Sequence, residues 1–186
     1  MAQCDSIQVA AFEPRSSVNG PGIRAVLWVQ GCHRRCPGCS NQAFLPFSGG
    51  CEQKIDQVFE RILASRGIEG VSFSGGEPFE QATPLAKLAH QCRTAGLSVL
   101  VFTGYTLDEL YSPAYKALLD QTDLLVAGPY DQDKPQQDSL LASANQTLHF
   151  LTNRYRDSFP IHTPRRTEFH IASDGTIRIT GFPSST

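Results

Sequence analysis

Four short apolar runs, each stopping at a glycine, constrain this chain more than any other feature. "RAVLWVQG" (24–31), "GVSFSGG" (70–76), "LSVLVFTG" (97–104) and "DLLVAGP" (123–129) read as strands buried on both faces. Helical patterns fill the gaps. Residues 53–66 place Ile55, Val58, Phe59, Ile62 and Leu63 on one face, and Gly67 follows as a stop. Pro84, after Thr83, opens a second helix whose stripe is Leu85, Leu88, Ala89 and Cys92 and whose end is Gly96. Thr106 and Glu109 have the spacing of a capping box for a third. Such alternation calls for right-handed βαβ units and a parallel sheet. The chain holds only four or five units, whereas a full eight-stranded barrel typically takes about 250 residues. That leaves an incomplete, TIM-like (βα) barrel or an open doubly wound sheet, and we expect the partial barrel. In either, the loops at the carboxyl ends of the strands form the natural ligand site.

Beyond residue 130 the pattern weakens. "DQDKPQQDS" is a polar loop, "QTLHFL" reads as a last sheet strand, and residues 152–167 as a connector. The tail alternates apolar and polar residues around Asp174-Gly175, a strong hairpin signal. The expected organisation is therefore a core domain over 1–151 and a connector with a C-terminal β-hairpin over 152–186.

A formal charge of −2 gives no footprint for nucleic acid or anionic membranes. No apolar run approaches the roughly 18 residues of a membrane span. The opening "MAQCDSIQVA" lacks the basic-then-apolar layout of a secretory signal. A cytoplasmic location is expected, where the six cysteines are better read as metal ligands or buried thiols than as disulfides.

Three of those cysteines fall within eight positions, in "GCHRRCPGCSNQ": Cys32, Cys36 and Cys39. Three thiolates would hold three corners of an iron–sulfur cube and leave one iron open, the logic of a catalytic rather than a closed metal site. Gly31, Pro37 and Gly38 suit a tight loop whose amides approach the sulfurs. The spacing leaves a second reading open, a zinc site completed by His33 or Cys51. Cys92 reads as a small core residue. His90, His149, His162 and His170 show no metal-type pairing. Arg34 and Arg35 read as solvated loop charges, with docking of an acidic electron donor as the functional alternative.

"CHRRCPGC" is the C-x3-C-x2-C signature of the radical S-adenosylmethionine superfamily. With "NGPGIR" (19–24), "SGGEP" (74–78), "FTGYTLDEL" (102–110) and "ASANQTLHF" (142–150), in that order, the chain resembles the activating proteins of anaerobic (class III) ribonucleotide reductase, and more loosely the pyruvate formate-lyase activating enzymes. The resemblance spans about residues 15 to 151. It implies that Cys32, Cys36 and Cys39 ligate a [4Fe–4S] cluster whose open iron takes S-adenosylmethionine. Gly75, Gly76 and Glu77 would then line the methionine amino group, and Thr103, Gly104 and Tyr105 a cofactor- or substrate-facing loop. Asn145 and Gln146 match the family's "SNQ" stretch, which a sheet-entry turn explains equally well.

The implied activity is reductive cleavage of S-adenosylmethionine to a 5′-deoxyadenosyl radical that takes hydrogen from a glycine of a glycyl radical enzyme. A flavodoxin- or ferredoxin-type protein would supply the electron. Two residues depart from the family pattern: Ala127 stands where a carboxylate is usual, and Ser40 where an aromatic is common. Ala127 and the extra tail keep open radical chemistry on a small molecule or peptide. A non-catalytic zinc or electron-transfer module is the remote alternative.

Overall fold

The computed structural model describes residues 5–136, 140–159, 167–171 and 174–181. Cys4 and His162 lie outside them. Seven strands form one mixed sheet: β1 (Ser6–Ser16), β2 (Arg24–Val29), β3 (Cys51–Lys54), β4 (Gly70–Gly75), β5 (Ser98–Thr103), β6 (Leu124–Ala127) and β7 (Thr147–Phe150), in the spatial order β3-β1-β2-β4-β5-β6-β7. The four runs that end at glycine are its parallel centre, β2, β4, β5 and β6. Antiparallel strands flank them, β1 and β3 on one side and β7 on the other.

Strand alternation divides the core in two. Ala25, Leu27 and Val29 of β2, Val71 and Phe73 of β4, Val99 and Val101 of β5, and Leu125 and Ala127 of β6 point to one face. There they meet the helices α1 (Ile55–Ala64), α2 (Ala82–Thr94) and α3 (Pro113–Leu119). Each valine, leucine or phenylalanine among them contributes about 1.5–3 kcal/mol when it leaves water. The other face carries Leu100, Leu124 and Val126, covered by Leu140, Tyr155 and Phe159. A doubly wound sheet would have helices on both faces; among the described residues they stand on one.

Several elements differ from the sequence reading for physical reasons. β1 pairs with β2 through two register irregularities, between Val9 and Ala11 and between Glu13 and Ser16, the second containing Pro14. Bulges of this kind break the period-two signal and accommodate a proline. β3 is a short, largely exposed edge with no apolar pattern. Leu63, assigned to the buried stripe of α1, is half exposed, so only Ile55, Val58 and Ile62 are buried there. The Thr106–Glu109 box forms, yet it caps a single 3-10 turn over Leu107–Glu109; α3 starts later, capped by Ser112, whose hydroxyl accepts from the Tyr115 amide.

The expected hairpin is present as β8 (Thr167–Ile171) and β9 (Ile177–Gly181), with the Asp174 carboxylate accepting from the Thr176 amide in its turn. It is fastened to the end of β1: Glu168 accepts from the Ser17 amide and hydroxyl at 2.8 and 2.7 Å, and Asn19 donates to Thr180 at 2.8 Å.

Candidate functional site

The cysteine loop, "SGGEP" and the "FTGYT" stretch each leave the carboxyl end of a parallel strand, β2, β4 and β5, so the topology gathers them. The cysteine loop follows β2. Its ends are pinned back on themselves, with the Gly31 and Cys32 amides donating to the Phe44 and Leu45 carbonyls at 2.9 Å. Cys32 is buried, while Cys36 and Cys39 are partly exposed. Burial pushes the Cys32 thiol up, and backbone amides of Arg35 and Arg34 pull it down. Burial likewise raises Cys39, against the Asn41 amide, which donates to its sulfur at 3.4 Å. A charge on Cys36 raises both neighbours, so the middle sulfur lies within electrostatic reach of each of the other two.

The glycines of "SGGEP" are required by backbone packing. Gly75 is left-handed, with φ 111°, and any side chain there would collide with the Val29 backbone. A Cβ on Gly76 would strike the Gly31 and Phe44 carbonyls. The Gly76 amide donates to Val29 at 2.7 Å and the Glu77 amide to Gly31 at 2.8 Å, locking this loop to the cysteine loop. The Asn41 side-chain amide donates to the Gly75 carbonyl at 3.3 Å.

Glu77 joins the third loop to the other two. Its side chain is buried and accepts from the Phe79 amide at 3.0 Å, the Thr103 hydroxyl at 2.8 Å and the Gly104 amide at 2.8 Å. Burial outweighs these donors and pushes the carboxyl up to about 7. A carboxyl that holds its proton more tightly when folded contributes stability that is complete below its unfolded value, near 4.5, and lost as pH rises through 7. Between pH 5 and 8 the chain is therefore expected to lose about 2–3 kcal/mol more stability than a Glu77→Gln variant. Urea denaturation of both chains across that range measures it; parallel pH profiles would refute the assignment.

Cys32, Cys36, Cys39, Gly76, Glu77, Thr103 and Gly104 all line one cavity of about 630 Å³. Gly75 and Tyr105 do not line it. The Tyr105 hydroxyl donates to Glu80 at 3.0 Å, and its ring lies 4.4 Å beneath the Arg34 guanidinium. Arg34 also pairs with Glu109, so it is a packed residue rather than a solvated charge; Arg35 is exposed, as expected. His33 bonds Glu80 at 2.8 Å and stacks on Phe47, and Cys51 lies exposed on β3; neither lines the cavity. Gln146 borders it but spends its amide on the turn, accepting from Ala142 and donating to Gly128, and Asn145 donates to the Pro129 carbonyl. Ala127 packs into the helix-side core and leaves the cavity wall to Gly128. Ser40 does line it. Buried Cys92, its thiol raised by burial to about 12, is a core residue as expected.

Residues that sequence reasoning missed come from the hairpin. His170, Arg178 and Thr180 form part of the cavity wall, opposite Glu13 and Asn19 of the β1 end. The signal was there in the alternation of the tail, whose polar set projects to one side.

The family model for a 4Fe-4S single cluster domain matches residues 18–149. The anaerobic ribonucleoside-triphosphate reductase-activating protein of Escherichia coli K12 is 35% identical over 152 residues, which are 75% of this chain and 96% of the relative. This chain belongs to the radical S-adenosylmethionine activating-protein family. The Vibrio cholerae protein of the same name is also 35% identical, covering 76% of this chain and 96% of its own. Pyruvate formate-lyase 1-activating enzyme of Escherichia coli K12 is 29% identical over 77% of this chain and 60% of that one. The crystal structure of QueE from Escherichia coli overlaps 54% of this chain at 14% identity with a TM-score of 0.43, too slight a likeness to argue from.

Membership in the family brings a [4Fe–4S] cluster and S-adenosylmethionine as cofactors. The cavity suits them. Its sulfur donors are three thiols, Cys32, Cys36 and Cys39, and thiolates are the usual ligands of the irons in such a cube.

Proposed function

We propose that Cys32, Cys36 and Cys39 hold three irons of the cluster, and that the chain is the activating enzyme of an anaerobic ribonucleotide reductase. The observation carrying this is the convergence of three thiols on one cavity that Gly76, Glu77, Thr103 and Gly104 complete. When bound, the reduced cluster supplies one electron to the sulfonium and thereby a carbon-centred radical able to take hydrogen from a glycine.

The chain's own part is positional. Amides of Arg34, Arg35 and Asn41 aim at Cys32 and Cys39 and favour their thiolates. Glu77 fixes the distance between the three loops, and the Gly76 backbone can approach a ligand closely because nothing projects from it. Arg34, clamped by Tyr105 and Glu109, stiffens the loop between the first two cysteines.

The finer assignments follow the same reading. Helices on one face and a cavity on the other suit a splayed, partial TIM-like barrel open enough to admit a protein loop. Residues 1–151 are read as the core and 152–186 as an extension whose Tyr155 and Phe159 pack back onto the core. A flavodoxin or ferredoxin is the electron donor and the cytoplasm the location, with no nucleic acid or membrane partner; no helix among the described residues is long and apolar enough to cross a membrane. Because Ala127 lies off the cavity wall, it lends no support to a small-molecule or peptide substrate.

Reconstituted anaerobically with iron and sulfide, then supplied with dithionite and S-adenosylmethionine, the protein is expected to release 5′-deoxyadenosine. Addition of the reductase polypeptide from the same organism should produce the doublet of a glycyl radical in electron paramagnetic resonance. Nucleoside release without that doublet would reject the activase assignment; neither product would reject the radical chemistry itself.

A further inference from the structure

The hairpin is inverted. Its two cross-strand layers sort cleanly: Glu168↔Thr180 and His170↔Arg178 on one side, Phe169↔Ile179 and Ile171↔Ile177 on the other. The polar side faces the protein. Glu168 takes the Ser17 donors, Thr180 accepts from Asn19, and Arg178 and His170 stand 3.5 and 3.7 Å from the buried Glu13. The apolar side faces out, with Phe169, Ile171, Ile177 and Ile179 exposed by 65, 72, 59 and 55%. A strand pair attached to a domain ordinarily turns its apolar face inward; here burial has been forgone on the exposed side.

Ile179 also borders the cavity, so the apolar face adjoins it along one strand. The hairpin lies beyond the family match at 18–149, and the reductase-activating relatives are already covered over 96% of their length, so it is an addition of this chain. We infer that this outward face is the docking surface for the protein whose glycine enters the cavity, an inference that rests on the activase reading above.

Chemistry and area select that occupant. The face carries no charge, so it cannot recognise an acidic electron donor by complementarity. It offers on the order of a few hundred Å², at the upper end of what a monomer leaves uncovered. A stable dimer needs about 800 Å² from each partner. A small apolar patch adjoining a reaction cavity suits a partner that must bind, react and leave.

The test uses full-length chains carrying Ile171→Thr with Ile177→Thr, or Phe169→Thr alone, since threonine keeps the strand preference while removing apolar surface. Affinity for the immobilised reductase polypeptide is read by biolayer interferometry, mass by light scattering, and nucleoside release with dithionite in the absence of reductase. Expected are a Kd raised at least tenfold for the paired variant, a matching rise in the reductase concentration giving half-maximal glycyl radical, and unchanged mass and nucleoside release. An unaltered Kd in both variants would overturn the inference. So would a halved mass with Kd intact, which would assign the face to a second copy. Absence of nucleoside from the unsubstituted chain would overturn the activase reading and this inference with it, whereas nucleoside release with an unaltered Kd would overturn the docking surface alone.

Discussion

Cys36→Ala is expected to leave the protein without iron and without nucleoside release. Cys36 is the middle of the three proposed ligands, and a charge on it acts on both Cys32 and Cys39. Its backbone role is separate from its thiol: the carbonyl accepts from the Cys39 amide at 3.2 Å and survives the substitution, so the loop is kept while one donor is lost. Of the two alternative ligands the spacing offered, neither stands ready to replace it: His33 is held by Glu80 and Phe47, and Cys51 lies exposed on β3 and does not line the cavity. Loss of an outer partner of a ligand costs about 10–100-fold in metal affinity; loss of the ligand itself should exceed that. After anaerobic reconstitution, iron and acid-labile sulfide should fall to background in Cys36→Ala and stay at wild-type levels in Cys51→Ala. A Cys36→Ala protein with its full complement of iron would dismiss the ligand assignment.

What the sequence disclosed, and what it hid, follow from the range of the interactions. The central strands were legible because each is covered on both faces and so reads as an unbroken apolar run. The helix over 82–94 was legible because Leu85, Leu88, Ala89 and Cys92 recur at the helical period and are buried as that period requires. β1 was not, because its bulges and Pro14 scramble the alternation that marks a strand. The site loops could be placed at the strand ends, yet the role of Glu77 could not: three donors from two loops meet its carboxylate only after β4 and β5 have paired. The glycines of "SGGEP" could be read as making room for a ligand, whereas Gly75 and Gly76 make room first for the backbone of β2 and the cysteine loop. The hairpin was visible from Asp174-Gly175, but a local signal carries no information on which of its faces turns inward.

Arg24, last residue of "NGPGIR", shows how far a residue's role can lie from its motif. It opens β2 on the face away from the helices and is fully buried at the end of the sheet opposite the cysteines. Its guanidinium spends its donors on Ser72 at 2.8 Å, on the Ser98 hydroxyl at 2.9 Å, on Tyr155 at 3.1 Å, and on the carbonyls of Pro21, Val71 and Ser98. Burial alone pushes its pKa down; Tyr155, then Glu69 and Asp123, act the other way and hold the charge. Removing one member of such a buried charged network costs about 3–5 kcal/mol, because the remaining polar groups lose their partner without regaining water. Against a total stability of about 5–15 kcal/mol, that is a large share. Arg24→Ala is therefore expected to lower the unfolding free energy by about 3–5 kcal/mol in urea titration, with the urea dependence unchanged. Arg24→Lys should recover only part of it, since one ammonium cannot span Ser72, Ser98 and Tyr155 as the forked guanidinium does. Tyr155→Phe should cost less than either, removing one acceptor while leaving the cation five other contacts. An Arg24→Ala chain within about 1 kcal/mol of wild type would mean that the strands close at this end without their buried cation.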